Sequence, residues 1–99
     1  MRPADAVMGP ATELLKALAN PLRMAIVVEL SAGSRCVHEL VEVLDVSQPL
    51  ASQHLRVLRQ ARLVATERRG REIVYSLTDD HVAHIVGDAI NHAEEAPST

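Results

Sequence analysis

The sequence predicts a mainly α-helical (α+β) domain of element order α-α-α-α-β-β-α. Three observations carry that prediction. Apolar residues recur at three- and four-residue spacing through most of the chain. Asn20-Pro21 and Ser47-Gln48-Pro49 have the form of helix starts. One stretch, Leu63 to Leu77, gathers β-branched residues around a glycine. With 99 residues, 47% of them hydrophobic, the chain builds one core and has nothing left for a second. Tyr75 is its only aromatic residue, so that core is Leu, Val, Ile and Ala. A domain this small buries only about two thirds of its unfolded surface, and association between copies is a natural supplement.

Met1 to Pro10 holds two prolines, a glycine and no apolar period, and reads as a flexible arm ahead of a domain over 11–99. Leu14, Leu15 and Leu18 mark a first helix from Thr12 to Asn20. Asn20 caps a second helix with Pro21 in its first turn, which presents Leu22, Ile26, Val27 and Leu30 inward and stops at Ser31-Ala32-Gly33. A short third helix spans Val37 to Leu44, with Leu40, Val41 and Leu44 as its stripe, and Asp45-Val46-Ser47 turns the chain. Ser47 caps a fourth helix with Pro49 in its first turn, running to about Gln60 with Leu50, Leu55 and Leu58 facing the core. Two short helices joined by a tight turn form a helix-turn-helix.

The runs before and after Arg69-Gly70 favour strand through Val64, Thr66, Ile73, Val74 and Tyr75, and make a β-hairpin. Thr78 or Asp79 caps a final helix to about Glu95, with Val82, Ile85, Val86, Ala89, Ile90 and Ala93 as its stripe, and Ala96-Pro97-Ser98-Thr99 ends it. A helix-turn-helix followed by a hairpin is a winged helix-turn-helix.

Net charge is −3, but its distribution says more than its total. Between Ser47 and Glu72 there are six arginines against only Glu67 and Glu72. From Asp79 onward there are five acidic residues and no Lys or Arg. A basic middle beside an acidic end points to an anion-binding and a cation-binding element on one chain. There is no apolar run long enough to span a membrane, no secretory leader pattern, and a single cysteine, Cys36, all as expected of a cytoplasmic protein without a disulfide framework.

On the fourth helix the inward leucines leave Ser47, Gln48, Ser52, Gln53 and Arg56 on or near the outer face. Gln and Ser can read base edges, and Arg56 and Arg59 suit phosphate or guanine. His54 is placed to reach a base or phosphate. Arg68, Arg69 and Arg71 crowd the hairpin tip, where a narrow minor groove attracts cations. Polar residues on any amphipathic helix are also simply solvated, so Gln53 or Arg59 alone argues little. Three arginines about one turn, however, repel one another without a polyanion. Thr66 and Glu67 read as ordinary strand residues.

The final helix offers Asp79, His81, His92 and Glu95. His81 and His92 are eleven residues apart, about 16 Å along a helix, whereas zinc–ligand bonds are about 2 Å. A single helix cannot close that site, but two antiparallel copies can. Setting His81 level with the partner's His92 places the crossing at residues 86–87, where Gly87 has no side chain to hold the helices apart. The same register brings Asp79 level with the partner's Glu95. His92 and Glu95 share a face, and Asp79 at the helix start can take non-helical angles. Two symmetric four-ligand sites per dimer follow. Four N/O ligands favour tetrahedral Zn²⁺ over nickel or cobalt, which want more ligands. Taken singly, Asp79 is an ordinary N-cap and Glu95 a solvated end residue. His84 and Asp88 stand where they can support the ligands from outside.

Three segments resemble the ArsR/SmtB family of bacterial repressors over nearly the whole chain from Thr12: Leu18-Ala19-Asn20-Pro21-Leu22-Arg23, Val46-Ser47-Gln48-Pro49-Leu50-Ala51-Ser52-Gln53-His54-Leu55, and Gly70-Arg71-Glu72-Ile73-Val74-Tyr75. The ligand spacing is similar to the C-terminal-helix zinc site of SmtB-like sensors. The resemblance implies a homodimer joined through its terminal helices that represses transcription on an inverted-repeat operator and is released by two zinc ions per dimer. A nickel- or cobalt-responsive repressor of the same fold is the nearest alternative, and a zinc-stabilised structural dimer another, though the latter leaves the tip arginines unexplained. An enzyme is not expected: four protein ligands leave the metal no open position, and the sequence has no nucleophile motif or phosphate loop. Nor is a small-molecule substrate. Some family members carry a second site made from the third helix and an N-terminal arm. Cys36-Val37-His38-Glu39 resembles its helix half, but residues 1–35 contain neither Cys nor His, so Cys36 reads as a small, partly buried thiol.

Overall fold

The computed structural model describes residues 3–95. Its elements are α1 (Pro3–Leu18), α2 (Pro21–Ser31), β1 (Arg35–Cys36), α3 (Val37–Leu44), α4 (Gln48–Gln60), β2 (Val64–Arg69), β3 (Glu72–Leu77) and α5 (Asp80–Glu95). This is a winged helix-turn-helix, with α3 and α4 as the helix pair and β2–β3 as the wing. The predicted stop at residues 96–99 lies outside the described residues, as do Met1 and Arg2.

Caps place the helix starts. Asn20 Oδ1 accepts the backbone N–H groups of Leu22 (2.9 Å) and Arg23 (3.0 Å), and Pro21 occupies the first turn. Ser47 Oγ accepts the N–H of Leu50 at 3.3 Å. At the end of α4, Arg62 takes a left-handed conformation (φ 61°). Its N–H reaches the Arg59 carbonyl and that of Leu63 the Leu58 carbonyl, the two bonds that close a Schellman turn. Asp45 plays the same left-handed part after α3 (φ 53°) and lets the tight turn into α4 form.

α2 is the central helix and packs against α1, α3, α4, α5 and β3. Ile26 and Val27 are fully buried, and around them close Leu40, Leu55, Leu58, Leu63, Val64, Val82 and Val86. Among the described residues no polar side chain is buried, so shape and apolar contact alone specify the core. No described helix is long and apolar enough to cross a membrane.

Four expectations need correction. The chain is helical from Pro3, so residues 3–10 are not an irregular arm. Gly9-Pro10 reads locally as a breaker, yet proline in a helix deletes one N–H and crowds one carbonyl, and the turns on either side persist. Ala51 (0% exposed) rather than Leu50 (39%) joins Leu55 and Leu58 in the core, because Ala51, Leu55 and Leu58 lie along one stripe at spacings of four and three. The hairpin turn is Gly70-Arg71, one residue later than expected, since Arg69 pairs with Glu72. Gly70 supplies the positive φ (63°) at its first position. A two-residue strand, β1, also precedes α3 and adds to the wing in the order β1-β3-β2, with Arg35 opposite Tyr75 and Cys36 opposite Val74.

The radius of gyration, 14.9 Å, exceeds the roughly 13 Å of a compact domain this size. Of the described α1 side chains only Ala17 and Leu18, in the last turn, are buried, while Val7, Met8 and Leu15 are more than half exposed.

Candidate nucleic-acid interface and metal centre

The outer face of α4 carries Gln48, Gln53, Arg56 and Arg59 exposed, with Ser52 and His54 half-buried beside them. Burial of Ala51, Leu55 and Leu58 dictates that arrangement. Ser47 is already engaged as the helix cap, which leaves its hydroxyl proton free to donate. His54 is not free. Its Nδ1 lies 3.1 Å from Arg23 Nη1, a contact between α4 and α2 that nothing in the local sequence announces.

At the wing tip Arg68, Arg69 and Arg71 are all exposed. Arg68 Nη1 donates to the Gly70 carbonyl at 3.4 Å. Arg69 Nη2 sits 3.3 Å from Glu67 Oε2, so Glu67, read from sequence as an ordinary strand residue, offsets one of the three charges. No ion pair involves Arg68 or Arg71 among the described residues. The tip thus presents a net positive surface with long side chains able to enter a groove.

On α5 Val82 and Val86 are buried against the domain. His81, His84, Asp88, His92 and Glu95 are exposed, as is Asp79 immediately before the helix. Asp79 Oδ1 accepts the Val82 N–H at 3.3 Å and caps the helix; its second oxygen remains available. Within one chain Asp79 and His81 at one end do not come together with His92 and Glu95 at the other. Ala89 and Ala93 of the predicted stripe are exposed and Ile90 half-buried. A Cβ built on Gly87 would meet nothing within 4 Å.

Among the described residues, one group of three metal-binding side chains does converge within a single chain: Cys36, His38 and Glu72, whose donor atoms lie within 4.8 Å of one another. The Cys36 sulfur is 3.3 Å from His38 Nδ1, which is 3.8 Å from Glu72 Oε1. The β1–β3 pairing brings Glu72 there from the wing, 36 positions along the chain, a juxtaposition that local sequence does not announce. Cys36 is buried, more fully than the partly buried thiol expected. Its thiol donates to Glu39 Oε1 at 3.0 Å, and the same oxygen accepts the Cys36 backbone N–H at 3.0 Å. Burial, and then the Glu39 hydrogen bond, push the Cys36 thiol up from its ordinary value. The hydrogen bonds from Cys36 hold the Glu39 carboxyl down.

Residues 20–66 match the model of the bacterial regulatory protein, arsR family. The chain is 55% identical over 93 residues to the HTH-type transcriptional repressor SmtB of Mycobacterium tuberculosis, an alignment covering 94% of this chain and 69% of that protein. It is 46% identical over 80 residues to the HTH-type transcriptional regulator NmtR of the same species, covering 81% of this chain and 67% of NmtR. Among solved structures it superposes on the homodimeric winged helix-turn-helix DNA-binding domain of a Mycobacterium bovis protein with a TM-score of 0.87 at 26% identity, covering 97% of this chain and 89% of that one. SmtB and NmtR are regulators of transcription, not enzymes.

Proposed function

Because the chain belongs to the arsR family of bacterial regulatory proteins, we propose that it is a zinc-responsive transcriptional repressor acting as a homodimer. The apo dimer binds an inverted-repeat operator, with two α4 helices about one DNA turn apart and the wing arginines on flanking backbone or minor groove. Ser47, Gln48, Ser52, Gln53, His54 and Arg56 form the helix face of that contact, and Arg68, Arg69 and Arg71 the wing face.

One observation carries the metal half. Asp79, His81, His92 and Glu95 are all exposed on or beside α5, and their spacing closes only when two copies cross at Gly87, where the single chain leaves open room. The donor set fits zinc: two imidazoles and two carboxylates, one of which keeps an oxygen free of the helix cap. Asp79 and His81 with the partner's His92 and Glu95 would hold one ion, and the symmetric set a second. Zinc bound there supplies a cross-link between the two α5 helices.

The dimer reading has further support in α1. Glycine and proline inside a helix cost about 1 and 3 kcal/mol relative to alanine. The part of α1 that contains Gly9 and Pro10 buries no described side chain against its own domain. Packing Val7, Met8 and Leu15 against a second copy, beside the exposed part of the α5 stripe, offsets that cost.

The route from α5 to DNA is short. Val82 and Val86 join the core with Ile26, Val27 and Leu30 of α2, and α2 packs on α4. A change in how two α5 helices cross therefore reorients the α2–α4 body and the spacing of the recognition helices. Linkage requires DNA to weaken zinc binding by the same factor. Adding zinc to the complex of apo-protein with operator DNA tests the proposal: release is expected, and unchanged DNA affinity at saturating zinc overturns the switch. His92→Ala should retain DNA affinity and lose regulation.

A further inference from the structure

Arg23 lies in the first turn of α2, with its backbone N–H held by Asn20 Oδ1 at 3.0 Å. Its guanidinium then reaches two other helices. Nε donates to the Ala17 carbonyl and Nη2 to the Lys16 carbonyl (3.4 Å), both in the last turn of α1, where helix carbonyls lack partners within the helix. Nη1 faces His54 Nδ1 on α4 at 3.1 Å.

A guanidinium has five N–H donors and no acceptor, and stays charged at any pH the fold survives. The contact at 3.1 Å is a hydrogen bond only if Nδ1 offers its lone pair. His54 is then the neutral tautomer with its proton on Nε2. Protonating Nδ1 would set two donors and two positive charges against each other. Arg23 is itself oriented by the α1 carbonyls, so the contact favours one ring orientation and one tautomer of the neutral imidazole.

From this we infer that Arg23 is a positioning residue for DNA binding: it presents His54 as a neutral Nε2–H donor on the recognition helix, directed to a DNA phosphate oxygen. The inference rests on the repressor reading above. The half-buried ring of His54, at the edge of the buried Ala51–Leu55–Leu58 stripe and next in sequence to the exposed Gln53, suits a backbone contact, which sets register without reading sequence. The same guanidinium ties the end of α1, half of the proposed dimer surface, to the recognition helix.

A neutral donor and a cation leave different signatures on DNA. Removing a phosphate-bound arginine lowers the slope of log affinity against log salt by about one, because one fewer counterion is released. Removing a neutral donor lowers affinity and leaves the slope unchanged. His54→Ala is therefore expected to weaken binding to a mixed-sequence duplex of about 30 base pairs some tenfold at unaltered salt slope. In the free protein, imidazole ¹⁵N NMR should show His54 protonated on Nε2, and Arg23→Met should yield mixed tautomers. Arg23→Met should also weaken DNA binding, with His54→Ala adding nothing further in the double variant. The His54→Ala and wild-type NMR measurements stand even if Arg23→Met does not fold. A His54 protonated on Nδ1, wild-type affinity in His54→Ala, or a slope lowered by one overturns the inference. A wild-type protein that binds no duplex overturns the repressor reading and the DNA role of His54 with it, whereas the tautomer result reports on Arg23 alone.

Discussion

Asp79 Oδ1 accepts the backbone N–H of Val82 at 3.3 Å, so a residue we propose as a metal ligand also caps the helix that carries the other proposed ligands. One oxygen caps and the other is free to coordinate, and the two roles are separable by substitution. Asp79→Ala should lose both, costing about 1 kcal/mol of apo stability in denaturant unfolding. Asp79→Ser keeps a capping oxygen and lacks the carboxylate. It should unfold like wild type and bind zinc at least tenfold more weakly, as read by competition with a chromophoric chelator. Equal zinc affinity in the serine variant would remove Asp79 from the ligand set.

Gly87 distinguishes a helix crossing from an ordinary helix position. Its Cβ site is open in the single chain, so Gly87→Ala on an isolated α5 should stabilise by about 1 kcal/mol through helix propensity. At a close crossing a larger side chain instead holds the helices apart. Gly87→Leu is expected to raise the dimer dissociation constant at least tenfold in sedimentation equilibrium, with helical content intact. Unchanged dimerisation would place the crossing elsewhere.

The wing arginines are not equivalent. Arg69 spends part of its charge on Glu67 at 3.3 Å, whereas Arg71 makes no ion pair among the described residues. Arg71→Ala should therefore reduce the salt slope of DNA binding by about one, and Arg69→Ala by less. Glu67→Gln should tighten binding at low salt by freeing Arg69. Weaker binding in Glu67→Gln would mean that the pair positions Arg69 rather than competing for it.

Glu39 makes a prediction about acid. Its carboxyl is held below the ordinary range because it accepts hydrogen bonds from the Cys36 thiol and backbone. The folded state thus binds this proton more weakly than the unfolded chain does. The stability Glu39 lends is present at neutral pH and lost as pH falls through the carboxylate range. Glu39→Gln should flatten the fall in melting temperature between about pH 5 and pH 3. A wild-type slope in that window would show that the contact is not populated in solution.

The helices were readable because their signals are local. Asn20-Pro21 and Ser47-Gln48-Pro49 act within a turn of themselves, and the caps sit where those residues put them. The wing was readable for the same reason, to within one residue at its tip. Breaker residues misled where a helix outlasts them, as through Gly9-Pro10. Leu50 misled because hydrophobicity alone does not say which of two neighbouring apolar residues lies on the buried stripe.

By itself, then, the sequence determined the helix-turn-helix, the hairpin, the basic middle and the spacing of the His and acidic side chains on the last helix, all set by periodicity and nearest neighbours. Only the tertiary structure decided what depends on contacts between distant segments. It paired Arg35 with Tyr75 to make an unannounced strand, brought Glu72 beside Cys36 and His38, and set Arg23 of one helix against His54 of another. The physical reason is that spacing along a chain encodes which face a residue occupies, but not which residue stands opposite it once the core has closed. Asp79, His81, His92 and Glu95 go one step further: a single folded chain does not unite them, and the partner we propose is a second copy of the same helix.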